Sequence, residues 1–333
     1  MAESDTPIPK KPTITGLARR LGQLPAEKKR AALEISAALA GVSLRVSREF
    51  VEAVPKAARV LSADDLRLWG EMGRRLAMGN ADIGAEFFLA GVAGLKDIPE
   101  AARPAVFQVC TRQLVLSSST ALETFRLIPE LAAEIDNDDL LTQILTLAVD
   151  VAQRSAKHSS DFLRTTPEVA KAIAKFEDKS PSVASSVLSL ASHFADRTGG
   201  MTADLWANLP ENQEKLSASE AVQLVERSNE FLEFGGSVTL HFVSAGSNVL
   251  SSAPDTFDDW NNVVRIISGH GNAVLISFLR ATSRFYGQSV KRNSKGTNEV
   301  LGHVLQLIAR IAKSDAESAL AAFKSSSQAL RKV

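Results

Sequence analysis

Apolar residues recur at i, i+3, i+4 and i+7 along most of the chain, as in LLTQILTLAVDVAQRS (140–155) and VLGHVLQLIARIAKS (300–314). That spacing lays one apolar stripe along an α-helix. No stretch alternates apolar and polar positions with period two between turn dipeptides, the pattern a half-buried strand requires. The expectation is an all-α chain.

One aromatic position repeats along the whole sequence. Phe50, Phe88, Phe125, Phe162, Trp206, Phe242, Phe278 and Phe323 follow one another at spacings of 38, 37, 37, 44, 36, 36 and 45 residues. Seven to nine residues before each stands a small or polar pivot: Gly41, Gly79, Ser118, Ser155, Thr198, Gly235, Gly271 and Ser314. Glycine there tolerates the left-handed backbone that ends a helix, and Ser or Thr caps the next one. Each unit therefore reads as a helical hairpin with its aromatic anchor in the second helix. Pro55, Pro129, Pro167 and Pro210 fall four or five residues beyond their anchors, where they are expected to kink the second helix or to start a new one. A hairpin of two amphipathic helices cannot bury both apolar faces alone, whereas stacked hairpins share a continuous core. The expected fold is an α-solenoid of about eight hairpins, sixteen helices with a period of 36–45 residues, forming a single repeat domain over 15–333.

Residues 1–14 carry Pro7, Pro9 and Pro12 and read as a flexible tail, because proline offers no N–H to a helix or a ladder. The start lacks the basic end and apolar run of a secretory signal, and no segment is apolar for the roughly 20 residues of a membrane span. Cys110 is the single cysteine, so no disulfide forms within the chain, and a cytoplasmic location is expected.

The net charge is zero but unevenly placed. Residues 1–60 carry 11 Lys and Arg against 6 Asp and Glu, residues 61–260 carry 16 against 29, and residues 261–333 carry 11 against 3. Both ends are basic and the middle is acidic.

Motifs that would carry chemistry are poorly supported. Asp178, Ser180 and Ser182 in DKSPS have the Asp-x-Ser-x-Ser spacing of a metal-ion-dependent adhesion site, but the flanking patterns are helical, and Ser180-Pro181 suits a helix start better. His158, His193, His241, His270 and His303 sit in different repeats with no ligating partner at i+3 or i+4, which does not assemble a zinc site. DNDDL (136–140) lacks the glycine and distal Glu of a calcium loop; Asp138 or Asp139 is expected to cap a helix, and TFDDW (256–260) is read alike. SGHGNA (268–273) is preceded by no strand and followed by no Lys-Ser/Thr, so it reads as a pivot and not a phosphate loop. Cys110 stands in an apolar run, unlike an activated thiol. No catalytic residue, metal or cofactor is expected.

The most informative surface feature is FLRATSRFYGQSVKRNSKG (278–296). At roughly 100° per residue a helix places Arg280, Arg284 and Lys291 on one stripe, with Arg292 and Lys295 beside its end. Tyr286, the only tyrosine, is grouped with them as a patch for an acidic protein, phosphate groups or an anionic surface. The acidic middle repels a long duplex laid along the array.

The recurrence containing LRLWGEMGRRLAMGNADIGAEFFLAG (66–91) and DVAQRSAKHSSDFLRTTPEVA (150–170) resembles the helical-repeat region ahead of the von Willebrand A domain in bacterial proteins of the nitric-oxide-reductase-activation and rubisco-activation type. The resemblance spans most of the chain. It implies work with a MoxR-type AAA+ ATPase or a von Willebrand A protein. The von Willebrand A domain itself, with its strand and Asp-x-Ser-x-Ser site, has no counterpart after residue 323. The expectation is a non-enzymatic scaffold for protein–protein interaction. The alternatives are nucleic-acid or anion binding through the basic patch, and self-association of the basic end with the acidic middle of a second copy.

Overall fold

The computed structural model describes residues 19, 21–135, 137–177, 182–198, 201–213, 216–289 and 295–330. Residues 1–14, the stretch Asp178–Pro181 of DKSPS, Lys291 and Arg292 lie outside them. Among the described residues the chain is helical almost throughout, with sixteen α-helices, four short 3-10 turns and no strand. The all-α fold expected from the sequence is present.

In chain order the helices are α1 (Ala26–Ala40), α2 (Leu44–Ala57), α3 (Ala63–Gly79), α4 (Ala81–Ala90), α5 (Arg103–Gln113), α6 (Ser118–Glu134), α7 (Asp138–Arg154), α8 (Ala156–Glu177), α9 (Ser182–Thr198), α10 (Met201–Gln213), α11 (Ala218–Glu230), α12 (Gly236–Ser252), α13 (Phe257–Ser268), α14 (Asn272–Ser289), α15 (Lys295–Ala312) and α16 (Ala316–Leu330). Every one of the eight periodic aromatics lies in an even-numbered helix, and all eight are buried. Burying such a ring contributes roughly 1.5–3 kcal/mol, which explains why this position tolerates so little chemical variety along the chain.

Contacts divide the chain into two compact units, Met1–Val149 and Asp150–Val333. In the first, α1, α3 and α5 pack side by side in one layer, α2, α4 and α6 in a second, and each odd helix pairs with the even one after it. Phe50, Trp69, Phe87, Phe88 and Phe125 form one continuous aromatic chain between the layers, with ring centroids 4.7–6.1 Å apart. In the second unit the even helices α8, α10, α12, α14 and α16 stack in succession. The odd layer joins α9 to α11 and α13 to α15. Cross-helix bonds in both units repeat the sequence period: Arg45–Asp82, Arg126–Glu86, Arg265–Glu230 and Asn272–Phe234 link residues 35–40 apart.

The pivots fall at the ends of helices as expected, although the chemistry varies. Of the pivots, Gly235 and Gly271 alone adopt positive φ (99° and 116°); Gly41 is right-handed, and Asn80 and Ser117 hold the caps beside Gly79 and Ser118. SGHGNA is a turn between α13 and α14. Two cap assignments differ from expectation. Asn137 accepts the Leu140 N–H (2.9 Å), so Asp138 and Asp139 lie inside the first turn of α7, where negative charge suits the helix dipole. Likewise Asp258 and Asp259 lie in the first turn of α13 and not at its cap. Pro55, Pro129 and Pro167 sit inside α2, α6 and α8, which continue through them.

Candidate binding surfaces

The basic segment of the second unit is only partly a surface patch. Arg280 and Arg284 are exposed on α14. Lys295 begins α15, and Lys291 and Arg292 lie outside the described residues. Tyr286 does not belong to the patch. It is fully buried, its ring edge-on to Phe285 (5.1 Å) and its hydroxyl 3.4 Å from Thr256 Oγ1. Desolvation, with the charge of Asp259 acting in the same direction, pushes its phenol up to about 12. The reason is angular: Tyr286 lies roughly 120–160° around the helix from Arg280 and Arg284 and within about 80° of the anchor Phe278.

The residue missed by sequence reasoning is His241, on α12. Its Nε2 accepts a hydrogen bond from Arg280 Nε at 3.2 Å, across 39 residues. Burial first, and then the positive charge of Arg280, hold its pKa below the ordinary histidine value, so at neutral pH it is an uncharged ring protonated at Nδ1. Ser237, His241, Ser244, Asn248 and Ser251 form the outward stripe of α12 at spacings of 4, 3, 4 and 3, a helical face made only of short polar groups and one imidazole. Ser283 of α14 meets this stripe at Ser244 (3.4 Å) and Asn248 (3.0 Å). A Cβ at Gly287 would touch the Asn248 amide at 3.5 Å. Nothing in the local sequence around His241 announces these contacts, since Arg280 stands 39 residues away.

The first unit carries a surface of opposite character at its hairpin turns. Leu44 is 78% exposed after the α1–α2 turn, Met78 64% at the end of α3, and Val115 and Leu116 83% and 48% between α5 and α6. The three turns are tied together: Arg45 pairs with Asp82 at 2.6 Å, and Ser118 Oγ donates to the Leu76 carbonyl at 3.4 Å. Large apolar side chains left in water along one edge mark a protein-contact surface more often than a packing accident. Toward the opposite, C-terminal ends of α2 and α4 lies a groove of about 450 Å³, bordered by Glu52, Lys56, Phe88 and Leu89.

In the second unit an open cleft of about 880 Å³ lies by the 3-10 turn Leu232–Phe234, between α11 and α13. Its charges are largely matched, since Glu230 binds both Arg265 (2.6 Å) and Arg227 (3.0 Å). His193 stands 3.3 Å from Asn229 there. His158 pairs with Ser155 (2.6 Å) and His303 with the Glu299 carbonyl (2.8 Å). Among the described residues no three metal-ligating side chains converge, and no helix is long and apolar enough to cross a membrane. Cys110 is fully buried, and burial raises its thiol far above the thiolate range. No family model matches the chain, and neither a curated protein nor a solved structure matches it.

Proposed function

We propose that this chain is a non-enzymatic helical-repeat scaffold that binds another protein in the bacterial cytoplasm, its hairpins forming an α-solenoid. The observation that carries the reading is the apolar edge of the first unit, where Leu44, Met78, Val115 and Leu116 project from three consecutive turns. Stacked hairpins maximise surface relative to core, and such surfaces suit partner binding. The resemblance stated above names the partner as an AAA+ ATPase or a von Willebrand A protein.

The test is capture from a bacterial lysate with tagged full-length protein, with and without ATP and nuclease. Wild type is expected to retain an AAA+ ATPase or a von Willebrand A protein through nuclease treatment, and the variant Leu44→Ser/Met78→Ser/Val115→Ser is expected to release it. Retention of nucleic acid alone overturns the reading in favour of anion or nucleic-acid binding through Arg280, Arg284, Lys291, Arg292 and Lys295. Salt-sensitive oligomers of the chain alone would instead support self-association.

A further inference from the structure

Three arginines that bridge neighbouring helices face carboxylates. Arg45 meets Asp82, Arg126 meets Glu86 and Arg265 meets Glu230, each at 2.6 Å. Arg280 also bridges two helices, α12 and α14, but meets a neutral imidazole instead. Among the described residues it enters no ion pair. Its bond to His241 uses Nε, so the two terminal nitrogens of the guanidinium stay outside that bond. Arg284 adds a second positive charge one turn along the same face.

Beside this cation lie groups that both donate and accept: Ser244, Ser283 and the Asn248 amide, joined at 3.0–3.4 Å. Long Lys or Glu side chains, the usual cover of a solvated helix face, are missing from α12 between Ser237 and Ser251. The seam is thus a polar stripe with a cation beside it. A main-chain amide row matches the Ser and Asn groups, and a carboxylate matches the planar guanidinium.

We propose that the α12–α14 seam binds an acidic peptide segment, with Arg280 holding a carboxylate, His241 fixing the Arg280 side chain, and Asn248, Ser244 and Ser283 meeting the peptide backbone. This rests on the scaffold reading and specifies the chemistry of one partner segment. Peptide is favoured over nucleic acid by two observations. The Phe and Tyr rings of α12 and α14 are buried, so none of them offers a stacking platform for a base, and the chain as a whole has no net positive charge.

The experiment is fluorescence anisotropy of a labelled twelve-residue Asp/Glu-rich peptide with full-length protein at low salt. An uncharged peptide and a single-stranded oligonucleotide of equal charge serve as competitors. Wild type is expected to bind the acidic peptide. Arg280→Gln is expected to weaken binding about tenfold, the loss appropriate to a charge-assisted bond, and Arg280→Glu to abolish it. Arg310→Gln, a charge loss elsewhere on the exposed surface of the unit, and the turn-edge variant Leu44→Ser/Met78→Ser are expected to leave it unchanged. Unaltered melting temperatures show that the variants fold. Absence of peptide binding, or equal loss in Arg310→Gln, overturns the proposal while leaving the turn-edge capture of a partner standing. Stronger Arg280-dependent binding of the oligonucleotide overturns the peptide assignment. Loss of partner capture with the seam still binding peptide counts against the scaffold reading alone.

Discussion

The indole N–H of Trp260 donates to the hydroxyl of Thr282 at 3.3 Å, and Thr282 in turn donates to the carbonyl of Phe278. The same device occurs once more: Trp206 donates to Thr166 at 3.1 Å, and Thr166 to the carbonyl of Phe162. These are the two places where the sequence writes Phe-Leu-Arg-x-Thr, at 162–166 and 278–282. Phe and Leu fill the core, Arg faces water, and Thr, one turn after the anchor, supplies the acceptor that a buried indole needs. Trp69 in the first unit lacks such an acceptor, and its Nε1 has no partner.

Replacing Thr282 by Val keeps the shape and removes the acceptor, leaving the Trp260 N–H buried and unsatisfied. The expected cost is about 1–3 kcal/mol, read as a lower denaturation midpoint by Trp fluorescence. Thr282→Ser should retain most of the stability. Equal loss in both variants would assign the effect to packing and not to the hydrogen bond.

A Cβ added at Gly73 of α3 would run into the ring of the anchor Phe88. Gly73→Ala is therefore expected to destabilise the first unit by about 1–3 kcal/mol, despite the better helix propensity of alanine. Phe88→Ala is expected to cost about 3–5 kcal/mol. Thermal unfolding checks both, and a stabilised Gly73→Ala protein would contradict the packing described.

The folded-state pKa of His241 is held below its unfolded value by burial and by Arg280. Arg280 is the ionisable group that acts on it among the described residues. Between the two values the unfolded chain binds more protons, so stability rises with pH there. Its contribution is complete above the unfolded pKa and is lost as pH falls through the folded one. Urea midpoints of wild type should decline as pH drops below about 6.5, and His241→Gln should flatten part of that decline. Parallel curves for the two proteins would contradict this.

What was legible in the sequence follows from what the core demands. The eight aromatic positions could be found because a ring packed between helix layers tolerates few substitutes, and the period survives in their spacing. The helix starts were less legible. Asn137 rather than Asp138 caps α7, because a cap is decided by which side chain reaches the N–H two or three residues on, and a cluster such as DNDDL offers several that fit. Tyr286 is near Arg284 in sequence but not in space, because two positions along a helix turn a side chain to the other face. His241 and the turn residues Leu44, Met78 and Val115 could not be read at all. The role of His241 depends on a residue 39 positions away, and the exposure of the turn residues depends on which edge the stacking leaves uncovered.

Whether a protein is held on the hairpin-turn edge is read from a photo-crosslinking residue placed at Met78 in the full-length protein, with a control at Arg310. Irradiation in cells of the source organism is expected to yield one discrete protein adduct from position 78, identified by mass spectrometry as an AAA+ ATPase or a von Willebrand A protein, and none from position 310. Adducts equally abundant at both positions, or none from position 78, would contradict it.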